Sequence, residues 1–377
     1  ISFHKEPLRY LDDQLRRGVE TFWLPGSVLC VAEPQAAKAV LANPDGLFEE
    51  HSDFFHTARG PYGPRSAQRA IGRYARQLLT DYAAARGDRL ATSLTELRGT
   101  SDWPDAGNRL IYRHFADVLV APGTAPDVVD AVEQVVEHAV LAGARERRSR
   151  ITRFFFRRKL FRILADEMER RLRSLPADDA PPRDLFDVLA LGALSVPDAP
   201  EAARADDLGQ LYLPLLFAIV GSVGFTLAWS VHLLGQNPGG THASSGVVHE
   251  ALRLWPVAWQ LARRPAQEHE ILGIKVDPGD MVLVCPYVTQ RHPAYWPEPE
   301  RFLPERWAGG RDYQAFFPFG WGPHTCAAAA LTLRTVQDVV ELLARDFTYS
   351  VTPLSARAFD RGPSLAPPRF RLDLSPN

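Results

Sequence analysis

The feature that most constrains this fold is a long apolar stretch from Leu208 to Gly235, closed by Gly235-Gln-Asn-Pro238. Its length and composition are typical of a helix that is buried all round. Proline, glycine, serine and histidine interrupt it, so no run of about 18 apolar residues remains. The stretch therefore predicts a central buried helix and no membrane span.

Composition and charge limit the possible partners. The 377 residues are 46% hydrophobic and carry a formal net charge of −2, which argues against nucleic acid or an anionic membrane as an electrostatic partner. The cysteines Cys30, Cys285 and Cys326 lie far apart and form no CxxC pair, so neither a structural zinc site nor a disulfide framework is expected. The first residues show no secretory pattern, and we expect a cytoplasmic protein.

Periodicity along the chain predicts a mainly α-helical fold with a minor β-sheet. Helices are expected over Glu33–Asn43, Val128–Ala144, Arg153–Arg173, Leu208–Gly235 and Val247–Leu254, and from near Cys326 to about Arg345. Short strands are expected over Val28–Ala32, Ile271–Val276 and Met281–Val284, a loop over Pro176–Arg183 and a small-residue linker over Gly239–Gly246. Since no repeat and no interdomain linker is found, we expect one domain over residues 1–377.

The strongest chemical signal is the segment Phe319-Gly-Trp-Gly-Pro-His-Thr-Cys326, which leads directly into the last predicted helix. Glycines allow the backbone to fold tightly beneath a flat cofactor. The N–H groups at a helix N-terminus stabilise a thiolate, which is the form of cysteine that ligates a metal. A glycine turn followed by a buried structural cysteine is the alternative interpretation.

Two further segments carry weaker signals. Glu250 and Arg253 stand three residues apart on a predicted helix and can form an ion pair, although most such pairs are solvated surface pairs. The segment Tyr295–Trp307 is rich in proline and aromatic residues, and alone it indicates only a rigid coil. Each signal is unspecific by itself, so their combination and order matter.

Taken together and in this order, these segments resemble the cytochrome P450 family. His249–Pro256 is similar to its ExxR helix, Tyr295–Trp307 to its meander and Phe319–Cys326 to its cysteine loop. The resemblance is dense from Val247 onwards and weaker upstream. It implies the cytochrome P450 fold, with haem b as the cofactor and Cys326 as the iron ligand.

The resemblance also implies roles for individual residues. Glu250, Arg253 and Arg306 would form a structural network, and Phe319 and Gly320 would belong to the cofactor-binding loop. The residues expected at the haem propionates are His324, Arg264 (with Arg263 as the alternative), Arg65 and Arg69. For Arg65 and Arg69, which share a helical face, a solvated basic surface is the competing interpretation.

The apolar helix departs from the family pattern where oxygen activation is expected. Gly221 stands in the place of the usual acid and Ser222 in the place of the usual threonine, and Thr226 is the other candidate hydroxyl. No carboxylate lies between Leu208 and Trp229, so the usual general acid is missing. The connection from Pro238 to Glu250 is also shorter than the family's.

These departures leave several functions open. The first is a monooxygenase that receives electrons from a ferredoxin and ferredoxin reductase and oxidises an apolar small molecule in natural-product biosynthesis. The second is atypical haem-thiolate chemistry, such as a peroxygenase reaction, dehydration, isomerisation or oxidative coupling. The third is a degenerate family member that acts as a binding or recruitment module.

Overall fold

A computed structural model of the chain gives its fold. The structure describes residues 2–49, 54–85, 88–141, 150–175, 181–197, 202–240, 242–309, 313–355 and 364–377. The expected loop Pro176–Arg183 and the end of the expected helix Val128–Ala144 lie partly outside these ranges. The fold is mostly helical with small sheets, which confirms the predicted fold class.

The helices account for most of the described chain. In chain order they are α1 (Pro7–Arg16), α2 (Pro34–Ala42), α3 (Arg65–Ala85), α4 (Asp88–Thr95), α5 (Asp105–Leu119), α6 (Pro126–Val135), α7 (Arg150–Ser174), α8 (Leu185–Leu194), α9 (Ala205–Leu216), α10 (Val223–Gln236), α11 (Ser244–Leu254), α12 (Pro286–Thr289) and α13 (Ala329–Asp346). Two π-helical segments follow α6 and α9, at Val136–Val140 and Phe217–Ser222.

The strands are short and fall into four small sheets within the described residues. They are β1 (Thr21–Leu24), β2 (Val28–Val31), β3 (His56–Thr57), β4 (Gly60–Pro61), β5 (Gly99–Trp103), β6 (Leu261–Arg263), β7 (His269–Ile271), β8 (Ile274–Val276), β9 (Met281–Val284), β10 (Phe347–Pro353) and β11 (Phe370–Pro376). The sheet orders are β1-β2-β9-β6, β10-β11-β5, β3-β4 and β7-β8.

The predicted central helix is present as one continuous helix, Ala205–Gln236, made of α9, the π segment and α10. Among the described residues, it is the one helix long and apolar enough to span a membrane. Because 67% of its most apolar window is buried inside the protein, it fits the core helix that the sequence predicts.

Four expected boundaries are wrong. Ile271–Val276 is a hairpin and not one strand, because Leu272 and Gly273 take φ values of +52° and +75° and turn the chain between β7 and β8. The final helix begins at Ala329, three residues after Cys326. The expected linker Gly239–Gly246 is already helical from Ser244. The helix expected from Val128 begins at Pro126 and changes to a π-helix at Val136.

The described chain forms two compact units. The first unit comprises residues 1–51, 226–329 and 351–370, and the second comprises residues 52–225, 330–350 and 371–377. In the first unit, β2 pairs with β9 in parallel and β6 pairs with β9 antiparallel. Apolar side chains pack on both faces of this sheet. The sheet therefore lies in the hydrophobic core of the first unit.

The second unit contains closely packed helices and a buried ion network. A methyl group added at Gly192 of α8 would lie 2.4 Å from Ile71 of α3, so these helices are in direct contact. Arg171 of α7 donates to Glu167 at 2.6 Å, to Asp184 at 3.0 Å and to Asp187. All four side chains are buried. The network fixes α7 to the start of α8, where Asp184 is the N-cap.

Candidate active site

The cysteine loop lies in the first unit and is shaped by backbone hydrogen bonds. The N–H of Cys326 donates to the carbonyl of Phe319 at 2.9 Å, and the N–H of Gly320 donates to Phe317 at 3.1 Å. Gly320 and Gly322 have φ values of +75° and +73°, which favour glycine. A methyl group at Gly322 would lie 2.8 Å from the Cα of Ala42 in α2. Glycine is therefore required both for the turn and for its contact with α2.

Cys326 stands in a continuous exposed surface. All seven residues from Trp321 to Ala327 are exposed, although free cysteine is among the residue types most often buried. The pKa of Cys326 is raised on balance, because surrounding atoms desolvate the thiol and this outweighs the hydrogen bond that the backbone N–H of Ala328 donates to the sulfur. The cysteine precedes the helix by three residues, so the nearest stabilising N–H belongs to the turn that leads into α13.

The other side of the loop is held by a residue that the sequence did not single out. Lys38 of α2 is only 8% exposed, which is unusual for lysine. Its Nζ lies 4.0 Å from the ring centroid of Trp321 and donates to Oε1 of Gln314 at 3.0 Å. A cation over an indole face stabilises this arrangement. Charge patterning gave no signal for Lys38 because the contacts join residues more than 270 positions apart.

The predicted trio Glu250, Arg253 and Arg306 lies together in the first unit. Arg253 donates to both carboxylate oxygens of Glu250, at 2.7 and 2.9 Å, and Arg306 donates to Oε1 at 3.0 Å. The indole of Trp307 and the backbone N–H of Leu303 donate to the same carboxylate at 2.9 and 3.1 Å. A carboxylate with five donors and no exposed surface is well compensated for burial.

Gln290, for which the sequence predicted no contact, connects this network to the cysteine loop. Its Nε2 donates to the carbonyls of Leu252 and Arg253 at 2.9 and 3.3 Å, in the last turn of α11. Its Oε1 accepts the N–H of Phe317 at 3.0 Å. The side chain is completely buried. Gln290 thus satisfies helix carbonyls that have no partner within the helix and fixes Phe317, two residues before the cysteine loop.

The basic candidates of the first unit differ in position. A methyl group at Gly320 would lie 3.8 Å from Leu261 of β6, so the Leu261 side chain faces the cysteine loop. Arg263 lies two residues further on the same strand and shares that face. Arg263 is half-buried, whereas Arg264 is exposed just beyond the strand. His324 is exposed at the end of a short 3-10 turn, Gly322–His324.

The comparisons with known proteins agree with this geometry. A family profile described as "Cytochrome P450" matches residues 245–368, a range that contains the Glu250 network, Gln290 and the cysteine loop. The findings support a bacterial-type cytochrome P450. They likewise support an oxidoreductase of the P450 monooxygenase type, and the family implies a haem cofactor.

Related proteins cover most of this P450. Cyclooctat-9-en-7-ol 5-monooxygenase of Streptomyces melanosporofaciens is 27% identical, over 91% of this chain and 85% of the relative. A zebrafish cytochrome P450 solved with progesterone has a TM-score of 0.74 at 19% identity, over 98% of this chain and 99% of that structure. P450 OxyD, from the biosynthesis of vancomycin-type antibiotics, has a TM-score of 0.72 at 20% identity, over 99% and 97%. At these identities the two structures establish the fold alone.

The other two basic candidates of this P450, Arg65 and Arg69, lie in the second unit. Arg65 begins α3 and is half-buried, and Arg69 is exposed one turn later. Burial and repulsion from Arg69 lower the pKa of Arg65. Their closeness matches the predicted shared face.

The expected oxygen-activation residues lie in and just after the π segment. Gly221 is buried, and a methyl group there would lie 2.7 Å from the ring of Phe217. Ser222 is half-buried and ends the π segment. Thr226 is buried in α10, and its carbonyl accepts the hydroxyl of Ser230 at 2.9 Å. Of the two candidate hydroxyls, Ser222 belongs to the residues with distorted helix geometry.

Proposed function

We propose that this P450 is a haem b monooxygenase that oxidises an apolar small molecule in natural-product biosynthesis. The observation that carries the proposal is the exposed Cys326 loop, held from one side by Lys38 and from its start by Gln290. The relative named for a monooxygenase reaction on cyclooctat-9-en-7-ol supports the reaction class. It also supports an apolar substrate.

The residues present fit haem as the cofactor. Cys326 supplies the sulfur ligand, and the exposed surface from Trp321 to Ala327 offers a face for a flat ring. Arg263 is the better placed propionate partner on β6, because it shares the face of Leu261, and Arg264 becomes the alternative. His324, Arg65 and Arg69 are proposed as further propionate partners, and Phe319 and Gly320 as the backbone support of the loop. When bound, a haem-thiolate supplies the oxidising power for oxygen insertion.

The protein itself must deliver and retain protons without a carboxylate between Leu208 and Trp229 of the apolar helix. We assign this role to the Ser222 hydroxyl, which can donate one hydrogen bond and accept others. Gly221 leaves room for the Phe217 ring, so apolar surface replaces the missing acid. Phe217 and Phe225 pack edge to face at 6.3 Å and provide an apolar wall. Thr226 is the alternative hydroxyl.

The ligand assignment is tested by Cys326→Ser. The purified wild-type protein should bind haem and, when reduced under carbon monoxide, show the absorption band of thiolate-ligated ferrous haem. Cys326→Ser should lose this band, whereas Cys285→Ser, which changes a buried cysteine of the same unit, should retain it. A histidine-type band in the wild type would contradict the proposal.

The reaction class is tested by comparing two electron sources on the same substrate panel. Turnover with a ferredoxin, its reductase and dioxygen should exceed turnover with hydrogen peroxide. Faster peroxide-driven turnover would favour the peroxygenase alternative, which the missing carboxylate near Gly221 and Ser222 supports. Failure to bind haem would favour a recruitment module.

We propose a cytoplasmic location, without nucleic-acid or membrane partners.

A further inference from the structure

Asn108 of α5 contacts the π segment of the apolar helix within the second unit. Its Nδ2 donates to the carbonyl of Val220 at 2.8 Å and lies 3.3 Å from the carbonyl of Gly221. The side chain has no exposed surface. Asn108 is a polar side chain on a buried helix face, and it reaches the backbone of another helix. Such a contact is specific, because an apolar side chain would fill the same space without needing a hydrogen-bond partner.

The apolar helix is built to admit this amide. A methyl group at Gly224 would lie 2.3 Å from Nδ2 of Asn108 and 2.9 Å from its Cα. Any other residue at position 224 would therefore push α5 away or displace the amide. Glycine in a helix interior costs about 1 kcal/mol relative to alanine, so a compensating contact is expected, and Asn108 supplies it.

The π segment changes the pairing of its carbonyls. An α-helix pairs each carbonyl with the N–H four residues later, and a π segment lengthens this spacing to five. Where the helix returns to α geometry, the carbonyl of Val220 accepts the N–H of Val223, only three residues later. The Asn108 amide adds a donor to the carbonyls of Val220 and Gly221 at this irregular turn, so it favours the π geometry over the regular helix.

We propose that Asn108 is a positioning residue that holds the π segment and thereby sets the direction of the Ser222 hydroxyl. Successive residues of a helix are rotated by about 100°, so a change of spacing turns Ser222 relative to α9. The inference rests on the role proposed above for Ser222. Asn108 itself is buried and is not assigned any contact with substrate.

The oxygen of the same amide distinguishes the two variants used to test the proposal. Among the described residues, Oδ1 of Asn108 has no hydrogen-bond partner, and a buried carbonyl oxygen favours a donor such as an ordered water. Asn108→Asp keeps both the shape and an oxygen at this place but replaces the donating Nδ2 by a second oxygen. The carboxylate would face the carbonyls of Val220 and Gly221, so the proposal makes Asp nearly as disruptive as Leu.

The test compares Asn108→Leu and Asn108→Asp with Asn237→Leu in the haem-loaded protein. Asn237 is the matched control, because its Nδ2 donates to a helix carbonyl, Leu233, at 2.8 Å on the same continuous helix. Hydrogen exchange of the amides in residues 217–225 should become about tenfold faster or more in both Asn108 variants. It should remain unchanged in Asn237→Leu. The thiolate band of the carbon monoxide complex should persist in all three.

The second readout is the fraction of electrons that appear in product and not in hydrogen peroxide. This fraction should fall in the Asn108 variants as it does in Ser222→Ala, with no further fall in the double variant. Unchanged exchange in residues 217–225, or an equal increase across the whole chain, would overturn the inference. If Ser222→Ala leaves the fraction unchanged while the Asn108 variants lower it, the role of Ser222 is wrong, and with it the proposal that Asn108 acts through that hydroxyl.

Discussion

His114 of α5 gives a quantitative pH prediction. It is buried beside the rings of Tyr82 and Phe115, and its Nδ1 has no partner among the described residues. Burial, assisted by the charge of Arg89, lowers the pKa of His114 from 6.5 to about 4. Between these values the unfolded chain binds a proton that the folded protein does not. Stability therefore falls as the pH falls through this range.

The size of the effect follows from the two pKa values. The difference corresponds to about 3 kcal/mol once both states have titrated, and about 2 kcal/mol of it develops between pH 7 and pH 5. His114→Gln has no titrating group at this position, so its stability relative to the wild type should improve by about 2 kcal/mol on going from pH 7 to pH 5. Comparing the two pH values cancels the loss of aromatic packing, since that loss does not depend on pH.

The assay is urea unfolding of the haem-loaded wild type and variant at both pH values, together with exchange at the imidazole C–H read by mass spectrometry. Tyr82→Phe is the control, because it removes the hydroxyl that donates to the His114 carbonyl and should destabilise equally at both pH values. A stability difference between His114→Gln and wild type that stays constant with pH, or a His114 that titrates near pH 6.5 in the folded protein, would refute the reasoning.

The remaining predictions concern buried polar networks. Arg171→Met should lower the free energy of unfolding by about 3–5 kcal/mol in a denaturant titration, because buried Asp184 loses its cation while Glu167 and Asp187 keep only the exposed Arg170 and Arg183. The exposed Arg173→Met should cost less than about 1 kcal/mol, and equal effects would contradict this. Gln290→Leu should cost about 2–3 kcal/mol and convert part of the thiolate band to the thiol-ligated form, while the exposed Gln267→Leu should change neither.

The sequence predicted those parts of the fold whose signal is local. The apolar stretch from Leu208 gave the central helix, and the order of three short segments gave the Glu250 network and the cysteine loop. The prediction of one strand over Ile271–Val276 failed because a backbone angle decides it. Leu272 adopts a positive φ that no propensity scale assigns to leucine, so the hairpin between β7 and β8 looked like a single strand.

Contacts between positions far apart in sequence were not predicted either, and the reason is different. Gln290, Lys38 and Asn108 each act through one side chain on a backbone or ring far away in sequence, and such contacts leave no periodicity. The choice between Arg263 and Arg264 was equally open, because adjacent residues on a strand point to opposite faces. Only the position of Leu261 against Gly320 shows which face meets the loop.

The glycines of the apolar helix therefore have a different meaning from the one that the sequence suggested. Gly221 was interpreted as an acid that had been lost, which describes an absence at a single position. In the structure, Gly221 leaves room for the Phe217 ring and Gly224 leaves room for Asn108. Both glycines therefore allow side chains to pack closely against the π segment. A carboxylate introduced at position 221 must first displace the Phe217 ring. Restoring the usual acid alone is therefore expected to disturb the segment before it can donate a proton, and Phe217→Ala is the compensating change that such an experiment requires.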